Sequence, residues 1–151
     1  MTTKFSSISQ TTVQDLPRLF EVWESSVRMT HSFLSEADIR SLVPSAHAEI
    51  GSFRPIYCLR DTNGLPFAML GVESFKIEML FVHADYRGNG AGRLLVEFAI
   101  HELHADCVDV NEQNPPAIAF YQHMGFYQVG RSSLDPSGNP FPILHLALRP
   151  E

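Results

Sequence analysis

The chain has 151 residues, of which 44% are hydrophobic, and a formal net charge of −6 at pH 7. This composition predicts a single domain over residues 1–151, and no apolar run approaches the ~18 residues of a membrane span. With 11 Lys and Arg against 17 Asp and Glu, the chain offers little to a nucleic-acid backbone. The acidic balance favours a cationic partner instead.

The N-terminal part predicts a short strand followed by a helix. Lys4–Ile8 is the strand. Thr12 and Asp15 have the three-residue spacing of a capping box, and Pro17 places the start of the regular helix near Asp15. Apolar residues then recur at helical spacing: Leu16, Leu19, Phe20, Trp23 and Val27.

A second helix is predicted after a break at Thr30–Leu34. Ser35 and Asp38 form another capping-box pattern. Pro44 predicts the end of this helix, because the residue before a proline disfavours helical geometry. Ala46–Ile50 predicts a further helical turn before the next strand.

The middle of the chain predicts a hairpin and a third strand. Ile56–Leu59 and Phe67–Val72 flank a turn that contains Asn63 and Gly64, and Asn-Gly is a strong hairpin signal. Ser74–Val82 predicts the following strand.

The C-terminal half continues with alternating elements. Arg93–His104 predicts an amphipathic helix that packs on a sheet, and Cys107–Asn111 predicts a short buried strand. Asn114 suits the N-cap of a helix over Ala117–Met124. Two closing strands are predicted at Phe126–Arg131 and Phe141–Leu148.

The predicted closing strands and the cysteines bear on assembly and compartment. The last strands could pair between subunits, which leaves a homodimer open. Cys58 and Cys107 are far apart in apolar runs, which predicts buried free thiols. Because the N-terminus also lacks the apolar segment of a signal peptide, we expect a cytoplasmic location.

A glycine-rich turn, Arg87–Gly92, follows the predicted strand Ser74–Val82 and leads into the predicted helix. Such a turn leaves N–H groups at a helix start, where they can bind phosphate oxygens. No Lys-Ser or Lys-Thr follows Gly92, which excludes a P-loop, and Arg93 stands where a dinucleotide-binding motif has its third glycine. The turn does match the pattern Arg-x-x-Gly-x-Gly/Ala at every fixed position.

This pattern resembles the acetyl-CoA-binding motif of the GNAT acetyltransferase superfamily. Ala117–Phe126 is similar to the second family signature, Ala-x-x-Phe-Tyr-x-x-x-Gly-Phe, and Thr30–Leu34 resembles small stand-alone bacterial members, the YjaB-like proteins in particular. The resemblance implies an α/β GNAT fold: a mixed, mostly antiparallel central sheet with helices on both faces and a splayed strand pair that holds the cofactor.

The resemblance also implies where acetyl-CoA lies. Its pyrophosphate would sit over the turn, with Arg93 either contacting phosphate or remaining a solvated helix residue. Its acetyl carbonyl and pantetheine arm would pair with the free edge of the strand at Leu80–Val82. Asn111 is predicted to contact the arm or an ordered water, and Asn114 either contacts the cofactor or only caps its helix. The implied cofactor-binding residues are Leu80, Phe81, Val82, Arg87, Gly88, Asn89, Gly90, Ala91, Gly92, Arg93, Asn111, Asn114 and Tyr121.

Two catalytic residues follow from this assignment. Tyr121 holds the Tyr position of the second signature and is the predicted general acid for the departing thiolate, the alternative being an aromatic core residue. Glu78 is the predicted general base, because the period of two along a strand aligns its side chain with Leu80 and Val82. Glu73, His83 and His31 remain alternatives for the base.

The resemblance implies that the acceptor is a primary amine, on a small molecule, a protein lysine or a protein N-terminus. His31 and Phe33 are predicted to contact it, or else Phe33 and Leu34 only anchor the loop. No metal is expected, because the seven histidines show no ligand spacing with a carboxylate partner. A domain that binds acyl-CoA without turnover, as a sensor or interaction module, is the alternative to an enzyme.

Overall fold

The computed structural model describes residues 7–150. A seven-stranded sheet has the order β1-β2-β3-β4-β5-β7-β6, and every neighbouring pair is antiparallel except β4 and β5. The strands are β1 Ser9–Gln10, β2 Tyr57–Arg60, β3 Pro66–Glu73, β4 Lys76–Val82, β5 Cys107–Asn111, β6 Phe126–Ser132 and β7 Ile143–Leu148. Most of the predicted Lys4–Ile8 strand lies outside the described residues.

Four α-helices cover the two faces of the sheet. They are α1 Leu16–Thr30, α2 Glu36–Ser52, α3 Ala91–Glu102 and α4 Pro115–His123. Consecutive residues of a strand face opposite sides, and in β3 Leu70 belongs to the core with α3 and α4, whereas Met69 belongs to the core with α1 and α2. The predicted mixed sheet with helices on both faces is therefore confirmed.

The helix starts follow the capping patterns in the sequence. The Asp15 carboxylate accepts a hydrogen bond from the Thr12 N–H at 2.8 Å, and Ser35 and Asp38 bond each other reciprocally at the start of α2. The buried Asn114 side chain caps α4 by accepting from the Ala117 N–H at 3.3 Å. These predictions are confirmed.

The predicted end of α2 at Pro44 is wrong. The helix continues through Pro44 to Ser52, although proline removes one hydrogen bond of the helix. Ile39 and Ile50 are buried in the same core, and they stand three turns apart on one helix face. Packing of this face on α1 and the sheet outweighs the local cost of the exposed proline.

The predicted strand start at Ser74 is also wrong. Ser74 and Phe75 have φ values of 51° and 65° and form the two-residue turn between Glu73 and Lys76, which pair across β3 and β4. A two-residue hairpin turn whose twist matches that of the flanking strands requires positive φ at both of its central residues.

Candidate acceptor and cofactor site

A gap between β4 and β5 defines the site. The two strands pair only at Lys76 with Cys107 and at Ile77 with Val108, and beyond these pairs the sheet is open. A cavity of about 360 Å³ occupies the gap. Because β4 pairs with β3 and β5 pairs with β7 on their other sides, both strands have a free edge that faces the gap.

The backbone of β4 presents part of its free edge to the cavity. The His83 N–H donates to the Phe67 carbonyl of β3 at 2.8 Å. Since backbone groups of successive residues point to opposite strand edges, the groups of Phe81 also face β3, and those of Leu80 and Val82 face the gap. All three side chains line the cavity. The N–H of Leu80, which was predicted to be free, therefore faces the open gap between the two strands.

The glycine turn stands at the start of α3 and is exposed at Gly88–Gly90. Gly88 and Gly90 have φ values of 83° and 81°, and a Cβ on either glycine would meet no atom within 4 Å. The Gly90 carbonyl accepts from the Leu94 N–H. Within residues 7–150, the N–H groups of Gly88, Asn89 and Gly90 donate to no recorded partner. The turn therefore fits a phosphate group, which its free amides could bind.

The side chains around the turn have different surroundings. Arg87 and Gly92 line the cavity, and a Cβ on Gly92 would lie 3.5 Å from the Phe120 ring. Ala91 packs in the core with α3, so only its backbone could serve a ligand. The Arg93 guanidinium pairs with Glu97 at 3.0 Å and is 73% exposed.

Tyr121 projects from α4 into the same cavity. Its ring packs edge-on against Phe120 and Phe126, and it is 7% exposed. The hydroxyl has no recorded partner in the described chain, and no fully enclosed polar side-chain atom there lacks one, so the hydroxyl is open to the cavity. Burial raises the pKa of Tyr121 well above its ordinary value, which keeps the phenol protonated at neutral pH.

Asn111 and Asn114 line the cavity beside Tyr121. The Asn111 carbonyl accepts from the Asn114 N–H at 3.1 Å, which links the end of β5 to the start of α4. Because the Asn114 Oδ1 atom serves the helix cap, its Nδ2 group is the part left for a ligand.

The alignment predicted for Glu78 is wrong. Gly71 pairs with Met79 and Val72 with Ile77, so Glu78 is the extra residue of a β-bulge. A bulge interrupts the period of two, and Ile77 instead packs in the same core as Leu80 and Val82. Glu78 still lines the cavity, with its carboxylate 3.7 Å from the Lys76 ammonium.

The cavity is also lined by the end of α1, through Ser26, Thr30 and His31. The Phe33 ring lies against His31 at 5.3 Å and Phe141 at 5.7 Å between ring centroids. Phe33 is not among the residues that line the cavity, and its contacts match the predicted loop anchor. Of the alternative bases, Glu73 and His83 lie outside the cavity wall, and only His31 lines it.

Asp109 is a cavity residue that sequence reasoning missed. Its carboxylate accepts from the Lys76 ammonium and pairs with His145 Nδ1, both at 2.7 Å, and His145 Nε2 bonds the Ser132 hydroxyl. Burial acts to raise the pKa of Asp109, but the hydrogen bonds of Lys76 and His145 outweigh it and hold the pKa below its ordinary value. The signal in the sequence was its position between Val108 and Val110, because successive residues of a strand face opposite sides of the sheet.

The two cysteines differ in their burial. Cys58 is buried as predicted, whereas Cys107 is only half-buried, because it lies near the start of β5 beside the turn residue Phe75. In the described part of the chain, no cluster of His, Cys, Asp and Glu could hold a metal ion. None of the helices within residues 7–150 is long and apolar enough to cross a bilayer.

Comparison with known proteins identifies the class. Residues 54–128 match the Acetyltransferase (GNAT) domain. The chain is 34% identical over 148 residues to the peptidyl-lysine N-acetyltransferase YjaB of Escherichia coli K12, covering 93% of this chain and 95% of the relative. It therefore belongs to the GNAT family and is an acetyltransferase.

Solved structures agree with this assignment. The solution structure of apo YjaB from E. coli superimposes with a TM-score of 0.85 at 32% identity, covering 93% of this chain and 95% of that chain. The PaiA N-acetyltransferase of Thermoplasma acidophilum in complex with coenzyme A has a TM-score of 0.66 at 17% identity, with 91% and 96% covered. The second likeness concerns the fold alone.

Proposed function

We propose that this acetyltransferase moves an acetyl group from acetyl-CoA to the side-chain amine of a lysine in a protein, by direct transfer in a ternary complex. One domain spanning the whole chain carries the reaction, in the cytoplasm. A single observation supports this proposal most strongly: the free edge of β4, the glycine-turn residues Arg87 and Gly92, and Tyr121 all border one cavity.

Acetyl-CoA supplies an activated acyl group, and the chain supplies the groups that hold it. The amides of the glycine turn would bind the pyrophosphate at the start of α3, where the helix dipole favours negative charge. The exposed edge at Leu80 and Val82 would accept the amide-bearing pantetheine arm as an added strand. The same edge offers an N–H to the oxygen that becomes negative as the nitrogen attacks.

Side chains on the cavity wall are proposed to transfer the protons. Tyr121 is the proposed general acid, because its hydroxyl is neutral and open to the cavity. Glu78, the base predicted from the sequence, also lines the cavity, but its bulge position removes the alignment on which that role was predicted. Neither Cys58 nor Cys107 lines the cavity, so neither thiol is placed to form an acyl-enzyme, which favours direct transfer.

Support for a protein acceptor comes from relatives. The E. coli relative is named a peptidyl-lysine N-acetyltransferase, and a lysine ammonium suits the negative net charge of this chain. His31 is proposed to contact the acceptor from the end of α1, with Phe33 holding its ring in place.

The test is acetylation by the purified full chain. Acetyl-CoA is incubated with three acceptor sets: lysine peptides with blocked N-termini, lysine-free peptides with free N-termini, and small amines. Thiol release and product mass are measured. We expect release with the lysine peptides. Release only with small amines or N-termini would overturn the protein-lysine acceptor. Acetyl-CoA binding with no release from any set would instead identify an acyl-CoA sensor.

A further inference from the structure

The hydrogen bonds of the neighbouring Thr30 indicate which tautomer His31 adopts. The Thr30 hydroxyl donates to the Ser26 carbonyl at 2.8 Å, and the same oxygen lies 2.7 Å from His31 Nδ1. A hydroxyl has one proton to donate. Since the Ser26 carbonyl takes that proton, the Thr30 oxygen is left to accept from His31, and this network assigns the hydrogen to Nδ1.

This arrangement leaves the lone pair of the neutral ring on Nε2. Nε2 has no recorded hydrogen-bond partner among residues 7–150, and no fully enclosed polar side-chain atom there is unpaired, so Nε2 is open. Burial lowers the pKa of the His31 imidazole, which favours the neutral ring at pH 7. The residue lines the cavity that also contains the Tyr121 hydroxyl.

The other ionisable groups on the cavity wall are less suited to taking a proton. Glu78 and Asp109 both have the Lys76 ammonium beside them, at 3.7 and 2.7 Å, so both carboxylates already have a cationic partner. Arg87 also lines the cavity and remains protonated. His31 alone among these groups combines a fixed neutral tautomer with an unengaged nitrogen.

We propose that Nε2 of His31 is the base that removes the proton from the acceptor nitrogen, so that His31 is a catalytic residue rather than only an acceptor contact. This inference rests on the proposed function. Thr30 is a positioning residue, because its hydroxyl fixes which ring nitrogen is free to act.

The proton balance is closed by two side chains. The lysine ammonium first releases one proton to bulk water. The neutral nitrogen then forms the new C–N bond and gives one further proton to Nε2, and the C–S bond breaks with its electron pair on sulfur. The thiolate takes the Tyr121 hydroxyl proton. The His31 imidazolium then returns its proton to the Tyr121 phenolate through water, which restores both side chains and leaves an amide and a free thiol.

The first test compares His31→Gln with His47→Gln. Glutamine can accept a hydrogen bond but cannot serve as a base near neutral pH. His47 stacks on Phe20 at 4.0 Å between ring centroids and lies outside the cavity wall, so it controls for loss of a packed histidine. With acetyl-CoA and a lysine peptide, we expect kcat to fall ~100-fold in His31→Gln, with cofactor Kd unchanged and with His47→Gln near wild type.

The second test does not use activity. Nitrogen-15 NMR of the ligand-free protein, with His31→Gln to assign its ring signals, reports which nitrogen carries the proton at pH 7. We expect protonated Nδ1 and unprotonated Nε2 in wild type, and loss of this preference in Thr30→Val. A proton on Nε2 in wild type would overturn the proposal.

The two proposals can fail separately. If wild type acetylates lysine peptides and His31→Gln keeps its kcat, the base assignment is overturned and the proposed function stands. A rise in KM alone would make His31 an acceptor contact and would also overturn the base assignment. If wild type binds acetyl-CoA but acetylates no amine, both proposals fall.

Discussion

The two faces of the sheet contribute to the cavity in different ways. The face with α3 and α4 supplies the glycine turn, Asn114 and Tyr121, which come from two continuous stretches of chain. The face with α1 and α2 supplies His31 from a loop more than forty residues away from the strand it approaches. The first set follows the geometry of a helix start, whereas the second depends on how separate helices pack.

This difference corresponds to the two functions of the site, which are binding of the cofactor and recognition of the acceptor. Binding a phosphate group needs backbone amides at a helix N-terminus, which short sequence patterns can encode. Recognising an acceptor needs side chains brought together by tertiary packing, and the fold alone does not determine them. We therefore expect substitutions on the α3 and α4 face to affect cofactor use for any acceptor.

The largest effect is expected for Gly90→Glu. The carboxylate would bring negative charge to the site proposed for the pyrophosphate, and the side chain would occupy space that is open around Gly90. Loss of about two charge-assisted hydrogen bonds, each ~1.5–3 kcal/mol, predicts a rise of ~1,000-fold in the Kd for acetyl-CoA. Isothermal titration calorimetry measures this change directly.

A matched control is available at Gly64. Its φ of 81° equals that of Gly90, and a Cβ there also meets no atom within 4 Å, but it lies in the turn between β2 and β3. Gly64→Glu carries the same backbone strain and charge, so it should lower Tm by a similar amount without changing cofactor Kd. Equal Kd values for the two variants would refute the location of the phosphate site.

A smaller effect is expected for Tyr121→Phe, in kcat rather than in binding. Removal of the hydroxyl deprives the thiolate of its proton donor and leaves the ring packed against Phe120 and Phe126. General acids contribute roughly 10²–10⁴-fold, and water in the cavity can replace part of this, so we expect a loss of about 100-fold in kcat.

The control for this prediction is Tyr127→Phe. Tyr127 is 36% exposed on β6, with the Arg149 guanidinium over its ring at 4.8 Å. This variant should retain wild-type kcat and Kd. If Tyr121→Phe also retained wild-type kcat, Tyr121 would be a packing residue and another group or water would protonate the thiolate.

The contrast between the faces also explains what could be predicted from the sequence. Capping residues such as Asn114 act within one helical turn, so their roles were readable from spacing alone. The continuation of α2 through Pro44 depends on the burial of Ile39 and Ile50 against another helix, which no local rule contains. The bulge at Glu78 is a property of strand pairing, and a shift of one residue changes the face of a side chain.

The smallest effect is expected for Arg93→Ala, which distinguishes the two interpretations of Arg93 as a phosphate contact or a solvated helix residue. Its guanidinium pairs with Glu97 one helical turn away and is 73% exposed, and exposed charges contribute only ~0.2–1 kcal/mol. Arg93→Ala should therefore change the Kd for acetyl-CoA by less than about five-fold. Arg87→Ala is the comparison, because Arg87 lines the cavity and forms no recorded ion pair within the described chain. A larger loss in Arg93→Ala than in Arg87→Ala would show that Arg93 leaves Glu97 to bind phosphate, and would extend the cofactor site along α3.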